Sequence, residues 1–113
     1  MSTRCVINFC YDESPQAKVY RHSDGYPDGI LPDIQQFFAD VQTQTSDTRF
    51  GDPTYLAAKY VVWQADQYHR EGGMLNFTSV GVCLENPGDL EYEYFVHCST
   101  HDKVPTITYT SVR

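Results

Sequence analysis

The sequence has no long apolar run, and its basic residues are few. No hydrophobic stretch approaches the ~18–20 residues of a membrane-spanning helix, and the first residues lack the apolar core of a signal peptide. Eight Lys and Arg stand against fifteen Asp and Glu, which gives a net charge of −7 at pH 7. Because binding to DNA or to an anionic bilayer requires a basic surface, we expect neither duplex nucleic acid nor a membrane as a partner. These absences favour a cytoplasmic protein.

Motifs of the common catalytic and cofactor sites are also missing. The sequence contains no phosphate-binding loop, dinucleotide fingerprint, nucleophile elbow or H-E-x-x-H pair. Its four cysteines form no C-x-x-C pair and are expected to be reduced thiols. His97 and His101 have a spacing that zinc can use, but without a further ligand pair we interpret them as a polar turn after a strand. We therefore predict no catalytic residue, no cofactor and no metal.

The chain does have enough apolar residues for a core. Hydrophobic residues make up 41% and aromatic residues 14% of the 113 residues, a composition typical of one folded domain. We expect a single domain over residues 1–113. Period-two alternation predicts five strands, and helical spacing predicts two helices, over residues 4–11, 17–22, 30–43, 53–69, 78–85, 90–98 and 106–112.

The order of these elements, ββααβββ, indicates the fold class. Strands grouped around a helical pair predict an α+β fold, with an antiparallel sheet of about five strands and two helices on one face. The second helix carries two adjoining apolar stripes, one surface more than the sheet requires. The other stripe is expected to contact the first helix or a second subunit, which favours a homo-oligomer. The stripes are Leu56, Tyr60 and Trp63, and Ala57, Val61, Ala65 and Tyr68.

The segment Tyr20–Gly29, YRHSDGYPDG, is the densest group of chemically active residues. Arg21 can bind a phosphate or carboxylate through two hydrogen bonds, and His22 can donate, accept or carry a proton. Glycines such as Gly25 let backbone N–H groups approach a ligand closely. A helix N-terminus follows directly and favours an anion. The segment is therefore our candidate ligand-binding loop.

Three further residues complete the candidate site. Asp24 supplies a carboxylate within the loop, Tyr26 offers a ring face for stacking, and Arg113 is a cation that a partner chain can deliver. For Arg113, the alternative is a frayed chain end. For the loop, the alternative is a purely structural role, in which Asp24 caps a turn, Gly25 takes a positive φ angle, and Arg21 pairs with Asp24 or Asp28.

The segment Tyr20–Gly29 resembles a motif in small proteins encoded by phages and prophages. The resemblance extends through the two helices, the second of which bears the tryptophan, to a late hairpin of the form GDLEYEY at Gly88–Tyr94. The layout is also similar to that of the Thoeris anti-defence proteins of the first-described type, which sequester cyclic nucleotide immune signals without cleaving them. This similarity, in size and element order, implies assembly through the helical pair and ligands held near subunit interfaces.

These observations lead to one functional hypothesis and two alternatives. We expect a non-enzymatic phage protein that sequesters a cyclic nucleotide in the infected host cell. Arg21 binds phosphate and His22 a phosphate or ribose, whereas Tyr26 stacks on a base and Arg113 closes the pocket. The first alternative is an acidic inhibitor that binds a host defence protein directly. The second is a small enzyme that uses His22 and Asp24.

Overall fold

The computed structural model describes residues 3–73 and 78–112, and Arg113 lies outside this range. The predicted order ββααβββ and the α+β class are confirmed. Two helices pack on one face of a five-stranded sheet. The elements are β1 Cys5–Tyr11, β2 Ser14–Arg21, α1 Pro27–Gln44, α2 Pro53–Arg70, β3 Val80–Cys83, β4 Tyr92–Cys98 and β5 Thr106–Ser111.

The sheet is mixed, so the prediction of an antiparallel sheet is wrong for one strand pair. The strands lie in the order β3-β2-β1-β4-β5, and β1 pairs with β4 in parallel, whereas the other pairs are antiparallel. Alternation along a strand identifies its two faces but says nothing about the direction of its neighbour. The parallel pair is possible because β2, both helices and β3 lie between β1 and β4 and form the long crossover that such a pair requires.

Two boundaries differ from the prediction for local reasons. The turn between β1 and β2 is only two residues long, because Asp12 and Glu13 both adopt positive φ angles, 53° and 65°, as tight hairpin turns require. Strand β2 therefore begins at Ser14. Helix α1 begins at Pro27 rather than at residue 30, because a proline is well tolerated in the first helical turn, where its missing N–H has no intrahelical partner.

Both helices bury their apolar residues against the same sheet face. Helix α1 buries Ile30, Ile34, Phe37, Phe38 and Val41. Helix α2 packs over β2, β1 and β3. Its Tyr60 ring meets the Phe37 ring edge-on, with centroids 5.3 Å apart. The core therefore takes residues from both predicted stripes of α2, namely Leu56 and Tyr60 from the first and Ala57 from the second. Neither described helix has the length and apolar character needed to cross a membrane.

A network of polar side chains around Asn8 lies on the opposite face of the sheet. The Asn8 side chain is fully buried in the middle of β1. Its Nδ2 donates to Glu93 Oε2 (3.0 Å) and to the Tyr94 carbonyl (3.1 Å), and its Oδ1 accepts from Lys18 Nζ at 2.6 Å. Asn86 completes a ring, because it accepts from Lys18 (3.0 Å) and donates to Glu93 (2.8 Å). The ring fixes the β3–β4 connection over this face.

We expect Asn8→Ala to lower the free energy of unfolding by about 1–3 kcal/mol, because it leaves buried polar groups without partners. Asn86→Ala alters the exposed corner of the same ring and is expected to cost no more than about 0.5 kcal/mol. Urea denaturation of the two variants measures the difference. Equal losses would contradict the central role of Asn8.

Candidate functional site

The candidate loop begins at the end of β2, where the side chains of Arg21 and His22 point to opposite sides of the sheet. Arg21 shares the helix-covered face with Val19, whereas His22 contacts Tyr20 on the other face, with Tyr20 Oη 3.1 Å from His22 Nδ1. This separation follows from the alternation of side chains along a strand. The expectation that Arg21 and His22 act on one ligand is therefore not met by the geometry.

Arg21 is tied to both helices. Its Nη1 donates to Asp33 Oδ2 of α1 at 2.7 Å and to Tyr60 Oη of α2 at 3.2 Å, and its Nε donates to the Ser23 carbonyl at 3.0 Å. Tyr60 Oη in turn donates to Asp33 Oδ2 at 3.1 Å. Neither Asp24 nor Asp28 forms an ion pair with Arg21, so that part of the structural alternative is wrong. Among the described residues, Nη2 has no hydrogen-bond partner.

The protonation states of this triad follow from its burial and its neighbours. Burial lowers the pKa of the Arg21 guanidinium, but Tyr60 and Asp33 raise it by more, so the net direction is upward. Burial, assisted by the Asp33 carboxylate, raises the pKa of the Tyr60 hydroxyl well above its ordinary value. Tyr60 is therefore a neutral hydrogen-bond donor, and Arg21 remains a cation beside Asp33.

A polar pocket of about 300 Å³ opens beside Arg21. Its walls come from the loop, the start of α1, the second half of α2 and the residue before β3. Carboxylates, amides, hydroxyls and two aromatic rings line it, and of the predicted site residues it contains Arg21 and Asp24. Among the described residues, the lining consists of Arg21, Ser23, Asp24, Asp33, Trp63, Gln64, Gln67, Tyr68, Glu71 and Ser79.

The other predicted site residues lie outside this lining. Gly25 is buried where the loop contacts the start of β1. His22 is on the opposite sheet face, and the Tyr26 side chain is exposed at the start of α1. The Tyr26 carbonyl accepts the N–H groups of Gly29 (2.9 Å) and Ile30 (3.0 Å). These contacts begin the helix. Arg113 lies outside the described residues.

Gly25 is required for close approach and not for a positive φ angle. The positive φ in the loop belongs to Asp24, at 57°. Gly25 donates from its N–H to the Thr3 carbonyl (2.9 Å), and its own carbonyl accepts from Tyr94 Oη (2.7 Å). A Cβ at Gly25 would lie 2.7 Å from the Thr3 oxygen and 2.9 Å from Cys5 Cβ. The loop is thus pressed against β1.

The two histidines with zinc-compatible spacing have separate partners. His97 Nε2 lies 2.8 Å from Thr108 Oγ1, whereas His101 Nδ1 accepts the Gly51 N–H at 3.0 Å and links the β4–β5 connection to the one between the helices. Within residues 3–73 and 78–112, no three or more His, Cys, Asp or Glu side chains are grouped to hold a metal ion.

A second, larger groove of about 790 Å³ lies between α1 and α2. Apolar side chains of both helices line it, including Val41 and Trp63. Tyr55 and Val62 are largely exposed at its surface. The Trp63 indole N–H is satisfied by Asp40 Oδ2 at 2.8 Å. Neither predicted stripe of α2 includes Tyr55 or Val62, and the sequence pattern therefore did not identify this groove.

Comparison with protein-family models, with curated proteins and with solved structures finds no match for this chain.

We expect Gly25→Ala to destabilise the fold by roughly 1–3 kcal/mol, because the added methyl group overpacks the contact between the loop and β1. Gly88→Ala is the matched control, since a Cβ there meets no atom within 4 Å. Its expected effect is within about 0.5 kcal/mol. Chemical denaturation checks both values, and an undisturbed Gly25→Ala protein would contradict the close approach.

Proposed function

We propose that this protein binds and sequesters a cyclic nucleotide without cleaving it, as a phage anti-defence protein in the cytoplasm of the infected host. The observation that carries the proposal is the pocket beside Arg21, where a guanidinium, two glutamine amides and two aromatic rings converge in one concave site. Convergent polar groups that fix the orientation of a ligand, next to aromatic rings, are found in small-molecule sites.

Each class of lining residue has a role in this proposal. Arg21 donates from Nη2 to a ligand oxygen, because its Nη1 and Nε are already bound to the fold. The Trp63 ring, oriented by the bond of its N–H to Asp40, offers a face for a base. Asp24 and Glu71 at the rim accept hydrogen bonds from ribose hydroxyls, as acidic residues do in dinucleotide sites.

The charges around the pocket determine how a phosphate is held. Among the described lining residues Arg21 is the one cation, against the carboxylates of Asp24, Asp33 and Glu71, and Asp33 already neutralises it at 2.7 Å. A phosphate deep in the pocket would therefore be repelled. In our proposal the base and ribose enter the pocket and the phosphates remain at its mouth.

The proposal also specifies binding rather than catalysis. Asp33 and Tyr60 are both hydrogen-bonded to Arg21 and to each other. The raised pKa of Tyr60 keeps its hydroxyl neutral. These groups hold the pocket in shape and are poorly suited to transfer protons near neutral pH. A rigid site of this kind favours retention of an intact ligand.

Assembly into a homo-oligomer is part of the proposal. The pocket is near the lower end of the volume range of ligand sites, about 300–1,000 Å³, so it holds one nucleoside unit and leaves the remainder of a cyclic nucleotide outside. The apolar groove between the helices supports contact with a second copy. Lys59 and Asp66 line it seven residues apart, so antiparallel packing of two α2 helices about Val62 would bring opposite charges together.

Capture and release of ligand tests the proposal. The protein is mixed with cyclic di- and trinucleotides and cyclic ADP-ribose isomers, filtered and heat-denatured, and the released material is identified by mass spectrometry. We expect intact ligand. A converted ligand would indicate an enzyme, and no capture from the panel would favour the direct inhibition of a host protein. Either result would contradict sequestration.

We expect Gln67→Ala to weaken ligand capture about tenfold, the equivalent of one lost hydrogen bond of about 1.4 kcal/mol. Gln16→Ala is the matched control, because Gln16 is exposed on β2 and contacts only the Ser14 carbonyl through its amide. Titration of the captured ligand against each variant gives the ratio. Equal affinities would remove Gln67 from the site.

A further inference from the structure

The edge strand β3 and the residue that follows it carry the two most exposed large apolar side chains of the described residues. Val82 is 76% exposed and Leu84, directly after the strand, is 95% exposed. Val82 follows the buried Val80 on the sheet face that α2 covers, because Val82 pairs with Val19 in the sheet register. Exposure of this degree at the sheet edge is not required by the core of a single copy.

Within the part of the chain that the structure describes, this edge lacks the features that normally prevent edge-to-edge pairing. Natural sheets protect exposed edges with charged residues, proline, a bulge or a covering segment. The stretch from Val80 to Leu84 has no charged residue and no proline, and the register of Val80–Cys83 with β2 is regular. The opposite edge of the sheet, β5, instead presents exposed threonines such as Thr108 and Thr110.

We propose that β3 pairs antiparallel with β3 of a second copy and joins the two sheets into one. A two-fold axis perpendicular to the sheet keeps every side chain on its own face. The axis then lies midway between the two copies of one residue, which are directly opposite each other. The register centred on Val82 places Val82 against its own copy, Val80 against Leu84, and Gly81 against Cys83.

This register is compatible with the side chains it brings together. The two copies of the exposed Val82 meet each other, and the exposed Leu84 meets Val80; apolar cross-strand pairs of this kind stabilise a sheet. A Cβ at Gly81 would meet no atom within 4 Å, so the sheet face at Gly81 is open and leaves room for the Cys83 side chain of the second copy. The next pair beyond Leu84 sets Glu85 against Ser79, so no like charges oppose each other. No β3 residue lines the groove between the helices, and this interface is therefore separate from a contact between two α2 helices.

A charge at the centre of the interface provides the first test. Val82→Lys places two cations against each other across the axis, and we expect the oligomer mass from light scattering to fall. Thr110→Lys makes the same change in net charge on the β5 edge and is expected to leave the mass as in the wild type. A wild-type mass for Val82→Lys would contradict the pairing.

Cysteine crosslinking tests the register itself. Directly opposite residues of antiparallel strands have Cα atoms about 4.5–5.5 Å apart, within the range that a disulfide spans. Cys5, Cys10 and Cys98 are buried, so Val82→Cys in a Cys83→Ser background adds one accessible thiol at the axis. We expect mild oxidation to give a covalent dimer, and Thr110→Cys in the same background to remain uncrosslinked.

Three results would overturn the proposal. The first is that Val82→Cys forms no covalent dimer at concentrations where the wild-type chain is oligomeric. The second is that the wild-type chain is monomeric at every concentration tested. The third is that Val82→Cys crosslinks to a different protein.

Discussion

The contact of Arg21 with Asp33 and Tyr60 is the interaction on which the rest of the candidate site depends. It joins the last residue of β2 to both helices through charged and neutral hydrogen bonds that are largely withdrawn from solvent. Removal of one partner from a buried ion pair typically costs about 3–5 kcal/mol, because the remaining charge is left uncompensated. The position of the helices over the sheet, and with it the pocket, is therefore linked to a single guanidinium.

This arrangement gives one residue two tasks. Arg21 uses Nη1 and Nε to hold the fold and also lines the pocket, and its Nη2 has no hydrogen-bond partner among the described residues. A lysine, with one compact ammonium group, cannot divide its contacts in this way. The loop beyond Arg21 turns at Asp24, presses Gly25 against β1 and delivers the chain to α1. The pocket is thus built by the same contacts that position the first helix.

Much of the fold follows from patterns that sequence makes visible. Alternation in β1 identifies the residues that face the helices, although both faces of this strand are buried, and the helical spacing from Ile30 to Val41 identifies the buried residues of α1. The parallel pairing of β1 with β4 is not encoded locally, since it depends on where a distant strand docks. The partner of Arg21 was missed for a related reason. Asp33 lies within α1, outside the motif, and only the docking of that helix brings it to 2.7 Å.

The candidate site was recovered in part. Arg21 and Asp24 line the pocket, whereas His22 is directed away by strand alternation and Tyr26 by the start of α1. The residues that α2 contributes to the pocket were not predicted as site residues, although their spacing is visible in the sequence. Four pocket residues recur at helical spacing and form one stripe beside the apolar ones, namely Gln64, Gln67, Tyr68 and Glu71. A polar stripe of this kind is usually attributed to solvent, and only the neighbouring loop shows that it faces a cavity.

A double-mutant cycle between Arg21 and Asp33 tests the central claim most directly. The free energies of unfolding of Arg21→Met, Asp33→Asn and the double variant are compared with that of the wild type. If the pair holds the pocket together, the two single losses exceed the double loss by at least about 1 kcal/mol, within the range for residues in direct contact. Additive losses would show that the two residues act independently, and would contradict the claim that their ion pair holds the helices and the pocket in place.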